Sequence, residues 1–215
     1  MRKSFNEELK KLKNEMLKMG SMVEEAIDES VRALKEQNLE LAEEVMENDD
    51  KIDDYEIELE EMCTRLIALQ QPVAKDLRTI IVISKIATDL ERIGDHASNI
   101  AHMALEIGEE ELVKPLIDIP RMTDIVTERL QKSLDAFVNL DVELAEEVAQ
   151  QDEEVDILDE QILRELITFM LDDPTTIKQS IYLTFISRFL ERIGDHSTNI
   201  CERVLYMATG EREEY

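Results

Sequence analysis

The sequence predicts an all-α protein made of two tandem, pseudo-symmetric three-helix bundles, six helices in total. Three observations carry that prediction. Apolar residues recur at gaps of three and four along nearly the whole chain, the spacing of one helix face. Of 215 residues only 5 are Gly and 4 are Pro, with 4 Tyr, 5 Phe and no Trp, which argues against a sheet-rich sandwich or barrel. The second half also repeats the first. Leu39–Asp53 (LELAEEVMENDDKID) returns 103 positions later as Val142–Asp156 (VELAEEVAQQDEEVD), and Leu90–Ile100 (LERIGDHASNI) returns 100 positions later as Leu190–Ile200 (LERIGDHSTNI). A tandem duplication of a three-helix unit accounts for both matches.

The elements follow in order. The first helix, about Phe5–Gln37, carries one stripe of Leu9, Leu12, Met16, Met19, Val23, Ile27, Val31 and Leu34. Asn38 is placed to cap the second, about Leu39–Gln70, which Pro72 limits. The third runs from about Asp76 to Ile107 and stops at Gly108. Pro115 and Pro120 mark a linker. The fourth helix covers about Arg121–Asn139, and the fifth about Asp141–Leu171, ending before Pro174. The sixth, about Thr176–Thr209, is closed by Gly210, and the tail Glu211–Tyr215 is expected to fray. The repeats are thus 1–109 and 121–215, joined by a linker over 110–120. The drop in offset from 103 to 100 puts a shorter connection between helices five and six than between two and three.

Charge narrows the function. The chain has 24 Lys+Arg against 51 Asp+Glu, a formal net charge of −27, yet 43% of it is hydrophobic, enough for a real core. So acidic a protein is a poor nucleic-acid binder, because phosphate contacts need clustered Lys and Arg. The excess acid asks for cations or a basic partner instead. The longest purely aliphatic run, Ile80–Ile83, is far short of the roughly 20 residues of a membrane span, so no direct membrane insertion is expected. Cys63 and Cys201 are far apart, form no CxxC pair and read as small apolar core residues. The N-terminal MRKSFNEELKKLKNEM is charged and periodic rather than a signal peptide, and a reducing, cytoplasmic setting is expected.

Duplicated core residues need only keep their apolar stripes, but here the closest self-match is polar. Glu91, Arg92, Gly94, Asp95, His96 and Asn99 return as Glu191, Arg192, Gly194, Asp195, His196 and Asn199. Glu91, Asp95 and Asn99 fall on one helix face, and two acids four apart repel unless something positive sits between them. A mid-helix Gly costs about another 0.5–1 kcal/mol relative to Ala. The neighbouring helices add Asp49 with Asp53, and Asp152 with Asp156. If these pairs face each other, four carboxylates converge in each half, with Asn99 or Asn199 near one end. Such an oxygen-rich set suits Fe, Mn, Mg or Ca rather than zinc or copper. Gly beside the pair would admit an ion cluster or a partner backbone.

The bland alternative is a solvated acidic face, with Arg92 and Arg192 neutralising it. His96 and His196 lie about 140° around the helix from the Glu and are read first as helix-surface or inter-helix hydrogen bonders, and otherwise as ligands or outer support of a metal. Glu-x-x-His, the signature of a di-iron oxidase bundle, is absent, as are a phosphate loop and a nucleophile elbow. No enzyme is expected.

With two three-helix units, each carrying an acidic-xxx-Asp pair on its second helix and Glu-Arg-Ile-Gly-Asp-His on its third, the chain resembles the PhoU family of phosphate-specific transport accessory proteins, from about Phe5 to Thr209. The family's Glu/Asp-x-x-x-Asp motif occurs four times, as Asp49–Asp53, Glu91–Asp95, Asp152–Asp156 and Glu191–Asp195. The resemblance implies a cytoplasmic, often dimeric regulator, placed at the inner membrane through protein partners. It implies a negative regulator linking a phosphate ABC transporter to a sensor histidine kinase. It also implies metal ions, foremost a multinuclear iron cluster, on Asp49, Asp53, Glu91 and Asp95 in one half. Asp152, Asp156, Glu191 and Asp195 would do the same in the other. Two rivals stay open: a carboxylate-bridged metalloenzyme, and a metal-free acidic adapter that pairs with a basic partner.

Overall fold

The computed structural model describes residues 2–150 and 153–211, and among these every regular element is helical. α1 (Arg2–Glu36), α2 (Leu39–Gln70) and α3 (Lys75–Ile107) form the first half. α4 (Asp118–Asn139), α5 (Val142–Ala149), α6 (Glu153–Asp172) and α7 (Ile177–Thr209) form the second, with a 3-10 turn over Pro174–Thr176 ahead of α7. The expected fifth helix is therefore seen as α5 and α6, on either side of residues 151 and 152, which lie outside the described set together with the tail beyond Glu211.

The Asn38 cap sits where the sequence placed it, and the repeat supplies a second one. The Asn38 side chain accepts from the Leu41 backbone N–H at 3.1 Å, and Asp141, its counterpart 103 positions on, accepts from Leu144 at 3.1 Å. The residues just before them, Gln37 and Leu140, both turn left-handed, at φ 51° and 53°. The duplication has thus kept a whole turn geometry, including a conformation that L side chains rarely adopt. Gly108 (φ 68°) and Gly210 (φ 85°) end α3 and α7 as expected. α4 begins three residues earlier than the expected Arg121. Pro120 lies in its first turn, where a missing N–H breaks no helical bond.

The halves interlock around one continuous core. Leu12, Met16, Met19, Val23 and Ile27 of α1 belong to the same buried cluster as Ile83 and Ile86 of α3 and Ile186, Leu190 and Ile193 of α7. α3 and α7 run antiparallel against each other. Arg78, near the start of α3, donates to the Tyr206 carbonyl at 3.3 Å, while Tyr182, near the start of α7, donates to Glu106 at 2.9 Å. α1 and α4 cross the same way, with Gln131 donating to Glu24 at 3.0 Å. A pseudo-two-fold axis through the α3/α7 contact therefore relates the halves. One polar knot breaks it: the buried Asp89 carboxylate pairs with Arg203 and lies 3.2 Å from His196 Nδ1, whereas the symmetric positions are Phe189 and Met103. Both cysteines are buried, and burial pushes each thiol up to about 12. Among the described residues no helix is long and apolar enough to cross a membrane.

Candidate metal centre

α2 and α3 pack as an antiparallel pair, which turns the two acidic motifs of the first half toward each other. One carboxylate oxygen from each of Asp49, Asp53 and Asp95 lies within 4.8 Å of the other two. Gly94 makes this approach possible. A Cβ there would sit 3.1 and 3.2 Å from two methyl carbons of Ile52 and 3.5 Å from Asp49 Oδ1. The mid-helix glycine thus lets the α2 side chains reach the α3 backbone, and its neighbours are the side chains of Ile52 and Asp49.

Electrostatics agree with the geometry. Burial, reinforced by Asp95, pushes the Glu91 carboxyl up to about 7, against the pull of Arg92. Burial, then Asp95, raises Asp53. Burial also raises Asp49, with the nearby Ser98 hydroxyl acting in the opposite sense. Asp53 Oδ1 and Glu91 Oε2 are buried and accept no hydrogen bond. Arg92 bridges Asp95 Oδ2 at 2.9 Å and brings its Nε to 3.2 Å from Glu91 Oε2 without donating to it. Its side chain is 55% exposed, so it closes the solvent edge as an ion-pair partner of Glu91 Oε2 and leaves Asp53 Oδ1 without a hydrogen bond. Buried carboxylate oxygens without a hydrogen bond are costly and are what a hard cation would relieve.

Not every candidate joins this cluster. The Asn99 amide donates back to the Asp95 carbonyl of its own helix at 2.6 Å. His96 stacks on Phe189, with ring centroids 5.7 Å apart, and stands 5.8 Å from His196, in the α3/α7 contact. Burial and its cationic neighbours lower His96 to about 4. His196 faces Asp89. Both histidines thus sit at the joint between the halves, where His196 makes an inter-helix hydrogen bond and His96 stacks instead, its buried Nδ1 without a hydrogen bond.

In the second half Asp152 lies outside the described residues, and no second carboxylate trio forms among those described. Asp156 and Asp195 are exposed, Asn199 is half-buried, and Arg192 is exposed. Glu191 is buried, and burial with Asp195 pushes it up to about 7. Arg188 holds Glu191 Oε1 at 2.8 Å and approaches Asp159 at 3.5 Å, while Ser187 donates to Asp159. Arg129, 3% exposed, donates to Thr198 at 2.8 Å.

Two features escaped the sequence reading. Glu56 acts on both Asp53 and Glu91 and is a fifth acid of the first cluster. Its signal was present, since Asp159 stands at the same place in the repeat, three residues after Asp156. Arg129 and Arg188 were also missed, because they break the repeat where Ala26 and Thr88 stand.

Known proteins match the whole architecture. The family profile described as PhoU domain matches residues 16–104 and again 119–204. A phosphate-specific transport system accessory protein PhoU homolog of Aquifex aeolicus is 46% identical over 204 residues, covering 95% of this chain and 92% of the relative. The Escherichia coli K12 phosphate-specific transport system accessory protein PhoU is 37% identical over 207 residues, covering 96% and 86%. The crystal structure of PhoU from Pseudomonas aeruginosa superposes with a TM-score of 0.92 at 41% identity, covering 96% of this chain and 100% of that one. The crystal structure of the phosphate transport system regulatory protein PhoU from Streptococcus pneumoniae gives 0.92 at 33% identity, covering 98% and 100%.

Proposed function

This chain belongs to the PhoU family, and from that premise we propose that it is a non-enzymatic accessory and negative regulator of phosphate uptake. In this reading it links a phosphate ABC transporter to a sensor histidine kinase through protein contacts and carries metal on its acidic motifs. The observation that carries the metal part is the Asp49, Asp53 and Asp95 trio, with Asp53 Oδ1 and Glu91 Oε2 buried beside it without a hydrogen bond. The donor set is all carboxylate, which fits iron foremost, or Mn, Mg or Ca, and leaves no thiolate or imidazole for a softer ion. A bound cation would supply positive charge between α2 and α3. The chain's own residues then fix their register: Gly94 sets the spacing, Ser98 orients Asp49, and Arg92 seals the edge.

The partner reading draws support from the ends of the helical hairpins. At the α2–α3 tip Leu69 is 68% and Val73 74% exposed, and at the α6–α7 tip Leu171 is 79% exposed. Large apolar side chains held in water at both tips are suited to contact with other proteins. Placement at the inner membrane through such partners from the cytoplasmic side, and a homodimer, belong to the same proposal. A metal-free adapter is the second reading, favoured by the Arg92 bridges to Glu91 and Asp95.

The test is a phosphatase reporter of the phosphate regulon in a strain lacking this protein. At high phosphate, repression is lost and is restored by the wild-type gene. Unaltered repression in the deletion strain removes the regulatory reading.

A further inference from the structure

Duplication makes the two acidic sites equivalent in carboxylates but not in the cations the chain itself supplies. In the first half Asp49, Asp53, Glu56, Glu91 and Asp95 have Arg92 among them. The second half repeats all six positions as Asp152, Asp156, Asp159, Glu191, Asp195 and Arg192, and adds Arg129 and Arg188 where the first half has Ala26 and Thr88.

The added arginines point at the site. Beside Gly94 the nearest polar atom to a built Cβ is a carboxylate oxygen, Asp49 Oδ1, at 3.5 Å. Beside Gly194, the same place in the repeat, the nearest polar atom among the described residues is a guanidinium nitrogen, Arg129 Nη1, at 3.4 Å, Asp152 (the counterpart of Asp49) lying outside that set. Arg129 is anchored there by Thr198, the counterpart of Ser98, which serves Asp49 in the first half. Arg188 holds one oxygen of Glu191 and reaches Asp159, leaving Glu191 Oε2 as the buried acceptor without a hydrogen bond. In the first half Ala26 instead lines an open cleft of about 270 Å³, together with Asn48, Lys51 and Ile52 and none of the cluster's carboxylates. A guanidinium does not give up its proton, so Arg129 is a permanent buried cation. A metal ion entering beside it would meet like charge at short range in a poorly screened site.

We propose that metal binding in this protein is one-sided: the α2/α3 carboxylates take up the ion, and in the second half Arg129 and Arg188 stand in for it. This rests on the metal reading above and adds a distinction that the duplicated motif conceals. The second half then keeps its shape without metal, and only the first half responds to metal supply.

The experiment titrates EDTA-stripped, full-length protein with MnCl2 alone, scored by calorimetry and by elemental analysis after gel filtration. Wild-type uptake is expected to vanish in Asp53→Asn with Glu91→Gln and to persist in Glu191→Gln. Arg129→Ala gains a second class of Mn site, which Glu191→Gln removes again, whereas Arg129→Lys, which keeps the charge, gains none. In the wild type, any second-half affinity is at least about tenfold weaker than the first, a difference of about 1.4 kcal/mol. Retention of half or more of the Mn by the first-half variant overturns the one-sidedness and leaves the metal reading standing. A folded Arg129→Ala protein with no added site overturns the role of Arg129. No Mn uptake by wild type or by Arg129→Ala overturns the metal reading itself. If Arg129→Ala does not fold, the first-half variant alone decides.

Discussion

Replacing Glu91 by Gln should make the metal-free protein more stable while removing a ligand. The Glu91 side chain is 14% exposed, one of its oxygens is buried without a hydrogen bond, and Asp95, Asp53 and Glu56 all push on its charge. Raising its carboxyl from 4.5 to about 7 costs about 3 kcal/mol of stability at pH values above both. The sign follows from proton binding: the folded state holds this proton more tightly, so the cost is absent below the unfolded value and grows as pH rises through the folded one. Gln keeps the shape and carries no charge. In EDTA at pH 8.5 the variant should melt about 6–12 °C above wild type, given roughly 2–4 °C per kcal/mol for a chain of this size. At pH 5.5 wild-type Glu91 is largely protonated in the fold, and the gain should fall below half. Thermal unfolding followed by far-UV circular dichroism at both pH values reads this directly. An equal or lower melting temperature at pH 8.5, or a gain of the same size at both pH values, would refute the buried-charge argument.

Three further outcomes follow from the same structure. Gly94→Ala should destabilise by about 1 kcal/mol, because overpacking against Ile52 outweighs the helix-propensity gain, while Gly194→Ala, whose Cβ would meet Arg129, Val126 and Val155 at 3.4–3.8 Å, should be neutral or up to about 1 kcal/mol more stable. Urea unfolding of the two variants compares them. Arg203→Met should cost about 3 kcal/mol by stranding the buried Asp89 carboxylate, and adding Asp89→Leu should recover most of it in the same assay. Both thiols, buried and pushed up to about 12, should resist Ellman's reagent in the native protein and react at once in urea.

The fold was legible because its signals are local. Asn38 announces its own helix start, Gly108 and Gly210 announce helix ends, and the duplicated string fixes the order of elements. The acidic cluster was legible for a second reason: spacing of four puts Asp49 with Asp53 and Glu91 with Asp95 on one face each, and two antiparallel helices have few ways to present those faces. Glu56 was within reach of the same argument, since Asp159 repeats it, but it falls at spacing three and outside the four-residue motif. The Asp89–Arg203 pair was not legible. Its partners are 114 residues apart and meet only through the register of α3 on α7, which no local pattern encodes. Arg129 was hidden for the opposite reason. The duplication directs attention to what the halves share, and Arg129 matters because Ala26 stands at its counterpart.

The account turns on whether the first-half carboxylates are the working part of a phosphate regulator. The most direct measurement is reporter phosphatase activity at high phosphate in the deletion strain, complemented with wild type or with a variant carrying Asp49→Asn, Asp53→Asn and Glu91→Gln, matched for soluble expression and helical content. The account predicts repression by wild type and derepression with the variant. Full repression by the folded variant would contradict it.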